Sequence, residues 1–287
     1  MALLQEALVG RLGSRFSLNF RPRELKVYLS PMGRFYDQPV EMGIGLRLNG
    51  KSHILPFANI EGIETFSKVE QEFLVDGVEY KVRDVELGLE FVCRVHAPFY
   101  PENRKISTAP FFYIDLAICS FIHGRSKFKP VNGEWIFFLS GAEIRTDKSL
   151  TLPITSRLAK DCWYYTNERP PESRSLFSES SFNGEIKVCP LFLNSTWQTT
   201  HEITNVCLSK RFNLESPKQV LRETLIIAGF QQDTVLKVWQ NDCRFLYTEY
   251  FANIDEVIEY ARSERDELLE KTALFCDTIY HSSISKA

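Results

Sequence analysis

The stretch that most constrains the fold runs from Glu86 to Ser120. Its first part alternates with a period of two, and one of the two alternating sets is wholly apolar: Leu87, Leu89, Phe91, Cys93 and Val95. An alternation of this length predicts a strand that is buried on one face. Pro98 and Pro101 then end the strand, because proline has no N–H to donate to a ladder, and a polar loop follows.

A second apolar run begins after Pro110 and covers residues 111–120. Both of its alternating sets are hydrophobic, except at Asp115. This pattern predicts a strand covered on both faces, although a buried helix would show the same pattern. We therefore expect two long core strands joined by a proline-containing loop, with the rest of the chain packed around them.

Four dipeptides that favour tight turns stand beside runs of β-forming residues: Asn49-Gly50, Asp76-Gly77, Asn132-Gly133 and Asn183-Gly184. Asn and Gly tolerate the positive φ angles that two-residue hairpin turns need. Four such signals predict an antiparallel meander rather than βαβ units. No glycine-rich phosphate loop accompanies them, so the sequence gives no support to a nucleotide-binding fold.

Composition narrows the functional classes. The 22 Phe and 11 Tyr among 287 residues favour strands and a large core. A net charge of -3 argues against a nucleic-acid partner. The seven cysteines are scattered and form no CxxC pair or zinc-type spacing, so we expect no metal, no cofactor and a reducing, cytoplasmic compartment. We also expect no transmembrane segment, because no uncharged run is long enough to span a bilayer.

The C-terminal segment has a helical pattern. Asn253 is a good N-cap, Glu256 stands three residues later, and the apolar residues that follow keep to spacings of three and four, with Arg265 as the one polar break. This predicts one amphipathic helix of about 27 residues. We therefore divide the chain into an antiparallel β-sandwich domain, residues 1–250, and a linker-type helix, residues 251–287, which packs on the sandwich or on a partner domain. The predicted fold is mainly β, a large antiparallel two-sheet sandwich of the supersandwich type with a long C-terminal amphipathic helix.

Two stretches together resemble one family: LGLEFVCRVHAPFYPENRKISTAPFFYIDLAI and LYTEYFANIDEVIEYARSERDELLEKTALFCDTIYHSSI. Both are similar to the N-terminal region of glycoside hydrolase family 116, which includes the non-lysosomal glucosylceramidase, or bile-acid β-glucosidase. The resemblance implies a large β-sandwich that leads through a helix into an (α/α)6 barrel. It also implies that the catalytic carboxylates lie in that barrel, which we expect to be absent from this chain. It therefore assigns no catalytic residue here.

Three groups of residues are candidates for sites. Trp163, Tyr164 and Tyr165 adjoin a polar loop and could stack on sugar rings, although core packing is the commoner fate of such aromatics. Asp115 interrupts an apolar strand, and an ion pair or a hydrogen bond explains a buried carboxylate better than catalysis does. The apolar face of the predicted C-terminal helix could bind a partner or pack on the chain's own sheet. Its candidate interface residues are Val257, Ala261, Leu268, Phe275 and Ile279.

The sequence therefore supports three functional hypotheses. The first is a non-catalytic N-terminal module, or a split subunit, of a β-glucosidase/glucosylceramidase-like glycosidase, with an (α/α)6 catalytic domain as its partner and carbohydrate as a possible ligand. The second is a self-sufficient sugar-active enzyme of the mutarotase-like sandwich type. A sheet face that holds a histidine and a carboxylate within hydrogen-bond reach would favour it. The third is an interaction protein that uses the C-terminal helix.

Overall fold

The computed structural model describes residues 4–10, 16–30, 38–85, 88–120, 129–144, 148–156, 177–179, 182–202, 205–231, 236–238 and 241–282. The strands in chain order are β1 (Ala7–Gly10), β2 (Ser17–Arg21), β3 (Lys26–Ser30), β4 (Gln38–Val40), β5 (Met42–Leu48), β6 (Lys51–Ile54), β7 (Glu64–Thr65), β8 (Val69–Phe73), β9 (Gly77–Asp84), β10 (Leu89–His96), β11 (Phe111–Ser120), β12 (Val131–Leu139), β13 (Glu143–Ile144), β14 (Leu150–Ser156), β15 (Phe177–Glu179), β16 (Phe182–Pro190), β17 (Gln198–Glu202), β18 (Asn205–Leu214), β19 (Val220–Phe230), β20 (Leu236–Val238) and β21 (Asn241–Cys243). The α-helices are α1 (Arg104–Thr108), α2 (Ile254–Ser263) and α3 (Arg265–Tyr280), and a 3-10 helix covers Leu246–Glu249.

The fold is mainly β with helices at its C-terminal end, as predicted. An eight-stranded sheet has the order β13-β14-β16-β19-β11-β10-β9-β8, and a six-stranded sheet has the order β17-β18-β12-β5-β6-β7. Smaller sheets contain β1-β2-β3-β4 and β15-β20-β21. The two large sheets meet through buried aromatic rings, such as those of Phe91 and Trp135, whose centroids are 6.0 Å apart. The sandwich core therefore lies between the eight-stranded and the six-stranded sheet.

The two predicted core strands are antiparallel neighbours at the centre of the larger sheet. β10 and β11 pair from Leu89 opposite Ser120 to His96 opposite Tyr113. Leu89, Phe91, Cys93 and Val95 are buried on the core side, which confirms the alternation that the sequence showed. Leu87 lies outside the described residues. The connecting segment contains α1, where the sequence predicted only a polar loop. Its N-cap is Asn103, whose Oδ1 accepts a hydrogen bond from Ile106 N at 3.2 Å.

The four turn signals have different outcomes. Asn49 and Gly50, with φ of 51° and 77°, form the predicted turn between β5 and β6. The β8–β9 hairpin is also present, but Leu74 and Gly77 close it, so the turn residues are one position earlier than predicted. The predictions for Asn132-Gly133 and Asn183-Gly184 are wrong, because both dipeptides lie inside strands, β12 and β16.

Two successive helices take the place of the single C-terminal helix that the sequence predicted. α2 and α3 are separated at Glu264, whose φ and ψ are -102° and 11°. The predicted N-cap is confirmed, because Asn253 Oδ1 accepts from Glu256 N at 3.0 Å. The Glu256 carboxylate accepts in turn from the amide of Ala252, at 2.7 Å, rather than from that of Asn253. The capping-box pair therefore closes one residue earlier than the standard arrangement.

The helices cover part of the outer face of the eight-stranded sheet. α2 contacts β19 and β11, and the Tyr113 hydroxyl donates to the backbone oxygen of Ala261 at 2.5 Å. The division of the chain at residue 250 stays a prediction. No described helix has both the length and the apolar character needed to cross a membrane.

Candidate functional site

An open groove lies on the outer face of the eight-stranded sheet, beside α2 and α3. Its volume is about 1350 Å³. β10, β11 and β19 form the floor, the two helices form one wall, and the loop of residues 191–195 forms the other. Pockets of this kind, at the junction of several elements, are the usual place for a ligand site.

Strand register places the polar residues of the floor in one row. Arg94 is opposite Asp115 in the β10–β11 pair, and Asp115 is opposite Thr224 in the β11–β19 pair. Because side chains alternate between the two faces of a strand, these three residues share the outer face. The apolar sets of the same strands face the core. The alternation of side chains along these strands therefore places apolar residues in the core and polar residues on the floor of the groove.

His96 joins two aspartates beneath the groove. Its Nε2 lies 2.8 Å from Asp115 Oδ2, and its Nδ1 lies 3.3 Å from Asp76 Oδ2. The contact between Nε2 and Asp115 is a hydrogen bond. Nδ1 is within ion-pair distance of Asp76, but the geometry of this contact is not that of a hydrogen bond. The His96 side chain is only 3% exposed, so it contacts its aspartates but does not reach the groove itself.

Charge holds this cluster together. Burial alone would lower the pKa of His96, but its contacts with Asp115 and Asp76 outweigh burial and raise that pKa above its ordinary value. Burial alone would raise the pKa of both aspartates, yet the contacts with His96 bring each below its ordinary value. The three groups are therefore charged together over a range of mildly acidic pH.

Two arginines complete the cluster. Arg94 Nη2 donates to both Asp76 oxygens, at 2.9 and 2.7 Å. Arg265, the first residue of α3, brings its Nη2 to 3.6 Å from Asp115 Oδ1. The same Asp115 oxygen accepts a 2.5 Å hydrogen bond from Thr224 Oγ1. The network thus ties the β8–β9 turn, three strands and α3 to one another.

The loop wall exposes two large apolar side chains. Phe192 is 69% exposed and Leu193 is 76% exposed. The loop itself is anchored, because Leu191 N donates to Thr224 O at 3.0 Å and Arg262 donates to the backbone oxygens of Pro190 and Leu191, both at 3.0 Å. An aromatic ring held on an anchored loop beside a polar floor can stack on the apolar face of a sugar.

The predicted site residues have mixed outcomes. Trp163, Tyr164 and Tyr165 lie outside the described residues. Val257, Ala261 and Leu268 are buried within the chain and offer no surface to a partner, whereas Ile279 is 45% exposed. Phe275 is half-buried, with its ring 5.0 Å from that of Phe99. Contact of Phe275 and Ile279 with a partner stays a prediction. Asp115 is in an ion pair, as predicted.

Sequence reasoning missed three parts of the site: Asp76, the pairing role of Arg94, and the exposed Phe192. Arg94 and His96 stand on the polar side of an alternating strand, which was a usable signal. Asp76 lies in a turn, where an aspartate is unremarkable. Within the described ranges, no group of three or more His, Cys, Asp or Glu side chains could hold a metal ion.

Comparisons with known proteins give weak similarities. No family model and no curated protein match the chain. Among solved structures, the heparan sulfate lyase HepC mutant from Pedobacter heparinus aligns with a TM-score of 0.32 and 8% identity, over 66% of this chain and 24% of the lyase. A putative kojibiose phosphorylase from the human microbiome aligns with a TM-score of 0.26 and 14% identity, over 97% of this chain and 31% of its own length. The chain thus spans less than a third of either protein, and similarity at this level carries no conclusion about function.

Proposed function

We propose that this chain is a non-catalytic, sugar-binding β-sandwich module of a glycosidase, and that the groove on its eight-stranded sheet is the sugar site. The observation that carries the proposal is the anchored, exposed ring of Phe192 beside a floor of charged hydrogen-bonding groups. Sugars present both hydroxyl groups and apolar C–H faces, so a site for them needs polar partners and a flat apolar surface together.

The state of Asp115 supports a binding role over a catalytic one. Both of its oxygens have partners within the chain, and its lowered pKa leaves it ionised near neutral pH. A glycosidase needs a second carboxyl group with a raised pKa to protonate the leaving group. Asp115 therefore carries no proton that it could donate to a leaving group.

The proposed context is a β-glucosidase/glucosylceramidase-like enzyme with an (α/α)6 catalytic barrel as a partner domain or subunit. Sequence resemblance suggests this context, and the sandwich with terminal helices has the architecture that the resemblance implies. The later turns of α3, with Ile279 exposed, are the proposed surface for the barrel. In this arrangement the module would brace the barrel and extend its sugar cleft.

We expect Phe192→Ala to weaken sugar binding about tenfold, because about 60 Å² of apolar contact would be lost. Isothermal titration of a panel of neutral and acidic oligosaccharides would measure the effect. Phe73→Ala is the matched control, since Phe73 is also exposed, at 53%, but lies on β8, outside the groove. Equal affinities for wild type and Phe192→Ala would contradict the placement of the site.

A separate experiment tests the proposal that the chain is not catalytic. We expect the pure chain to leave aryl β-glucosides unhydrolysed at concentrations at which it binds sugar. Turnover by the wild-type chain that is lost in Asp115→Asn would reject this part of the proposal and leave the site assignment standing.

A second candidate is a mutarotase-like enzyme, favoured by the 2.8 Å contact between His96 and Asp115. His96 is nearly completely buried, so a catalytic role would have to act through Asp115. For this candidate, polarimetry should show accelerated mutarotation of glucose by the wild-type chain and a loss of at least about tenfold in His96→Gln. A wild-type rate equal to the buffer rate would exclude it.

A further inference from the structure

The charges that line the groove are unequally distributed over its surfaces. Five cationic and five anionic side chains line it among the described residues, so the totals balance. Most of them are paired within the chain: Arg94 with Asp76, Arg265 with Asp115, Lys210 with Glu223, and Glu79 with Lys81. The groups left over are the ones that a ligand can engage.

Arg222 is the exposed cation among these remaining groups. It stands on the outer face of β19, two residues before Thr224, and its side chain is exposed. No carboxylate of the described residues lies within ion-pair distance of Arg222 or of Arg262. Arg262 is already engaged by the backbone oxygens of Pro190 and Leu191. Among the described residues of the floor, Arg222 is therefore the cation without an ion-pair or hydrogen-bond partner.

The neighbours of Arg222 in the sheet leave its side chain exposed to the groove. Its cross-strand neighbour on β11 is Ala117, whose methyl group leaves room above the strand. On its other side the β16–β19 pairing stops at Pro190 opposite Leu225, and the loop of residues 191–195 follows as the wall of the groove. A planar, exposed guanidinium can bind an oxyanion through two parallel hydrogen bonds.

The remaining anionic groups lie on the opposite wall. Glu259 of α2 and Asp266 of α3 are exposed, and no described cation lies within ion-pair distance of either. Carboxylates without a cationic partner are good acceptors for sugar hydroxyls. The groove thus offers a cation on its floor, hydroxyl acceptors on the helix wall and the Phe192 ring on the loop wall.

We propose that the groove selects an oligosaccharide that carries an oxyanion, with the anionic group bound to Arg222, its hydroxyl groups facing Glu259 and Asp266, and one apolar ring face on Phe192. This inference rests on the proposed sugar-binding function and adds the class of ligand. The oxyanion can be the carboxylate of a uronic acid or a sulfate ester, since both accept two hydrogen bonds from a guanidinium.

Three probes of equal length test the inference by isothermal titration at low ionic strength: a neutral glucose trisaccharide, a trisaccharide with one glucuronate, and one with a single O-sulfate. We expect both anionic probes to bind at least about tenfold more tightly than the neutral one. This difference should shrink as salt is added, because the contact lies at an exposed site. The two anionic arms show whether carboxylate or sulfate is preferred.

Arg222→Gln should abolish the preference, so that the variant binds the three probes with affinities within about twofold of one another. Arg211→Gln is the matched control, because Arg211 is 87% exposed but lies on β18, in the six-stranded sheet, and should leave the preference unchanged. Equal binding of all three probes to the wild type would overturn the inference and leave the sugar-binding proposal intact. A preference that survives in Arg222→Gln would overturn the assignment to Arg222. Failure to bind any probe would overturn both proposals.

Discussion

Replacing Asp76 by alanine is expected to destabilise the protein by about 3–5 kcal/mol, the usual loss when one member of a buried ion pair is removed. The Asp76 side chain is 5% exposed, and it contacts both Arg94 and His96. Without it, the buried His96 would keep only Asp115 as a counter-charge, and Arg94 would lose the carboxylate to which its Nη2 donates. Urea denaturation followed by circular dichroism measures the change in the free energy of unfolding.

The control for this variant is Asp255→Ala. Asp255 also forms an ion pair, with Lys187 at 2.9 Å, but its side chain is 74% exposed. Exposed pairs of this kind contribute at most about 1 kcal/mol. A loss in Asp76→Ala no larger than that in Asp255→Ala would show that the cluster beneath the groove does not stabilise the fold.

The stabilisation by Asp76 should also depend on pH. The pKa of Asp76 is below its ordinary 3.8, so its contribution is present above that value and is lost as the pH falls through the folded-state pKa. The pKa of His96 is above its ordinary 6.5, so its contribution is present below that value and is lost as the pH rises through the folded-state pKa. The difference between wild type and Asp76→Ala should therefore be largest between about pH 4 and pH 6.5.

The same buried cluster shows what a sequence can reveal about this site. Asp115 is the one polar interruption of an apolar strand, and Arg265 is the one polar interruption of the apolar face of the predicted C-terminal helix. In the structure these two residues face each other, 3.6 Å apart. Each interruption was visible locally, but their pairing depends on where α3 lies on the sheet, which no local pattern contains.

The sequence pattern predicted the structure correctly where interactions between residues close in the chain determine it. The alternation of residues 89–95 required one buried face and therefore a strand, and the partner strand followed in the chain. Asn132-Gly133 failed for a non-local reason. A Cβ on Gly133 would lie 2.5 Å from the ring of Phe212 on the neighbouring strand, so the glycine is there for close packing rather than for a turn. Only the assembled sheet reveals that requirement.

Replacing Trp135 by alanine is the second change with a large expected effect, again about 3–5 kcal/mol. Trp135 lies on β12 and is 1% exposed, and its ring meets that of Phe91 across the sandwich and that of Phe212 at 5.3 Å. Truncation would remove the largest side chain at this contact and leave a cavity between two sheets that cannot fully collapse. Phe192→Ala is the control, because an exposed aromatic should change stability by no more than about 0.5 kcal/mol.

A double-mutant cycle of Trp135→Ala and Phe91→Ala then tests whether the two sheets face each other as described. Ring pairs in contact couple by about 0.5–1.5 kcal/mol beyond their separate burial, so the double variant should lose less stability than the two single losses added together. Phe91 lies on the eight-stranded sheet and Trp135 on the six-stranded sheet. Coupling between them can therefore arise only if the sheets pack face to face at this point. Strictly additive losses would mean that the two rings are not in contact. The core side of β10 would then have to be assigned to the other face, and the floor of the groove, which depends on the same alternation, would have to be reassigned with it.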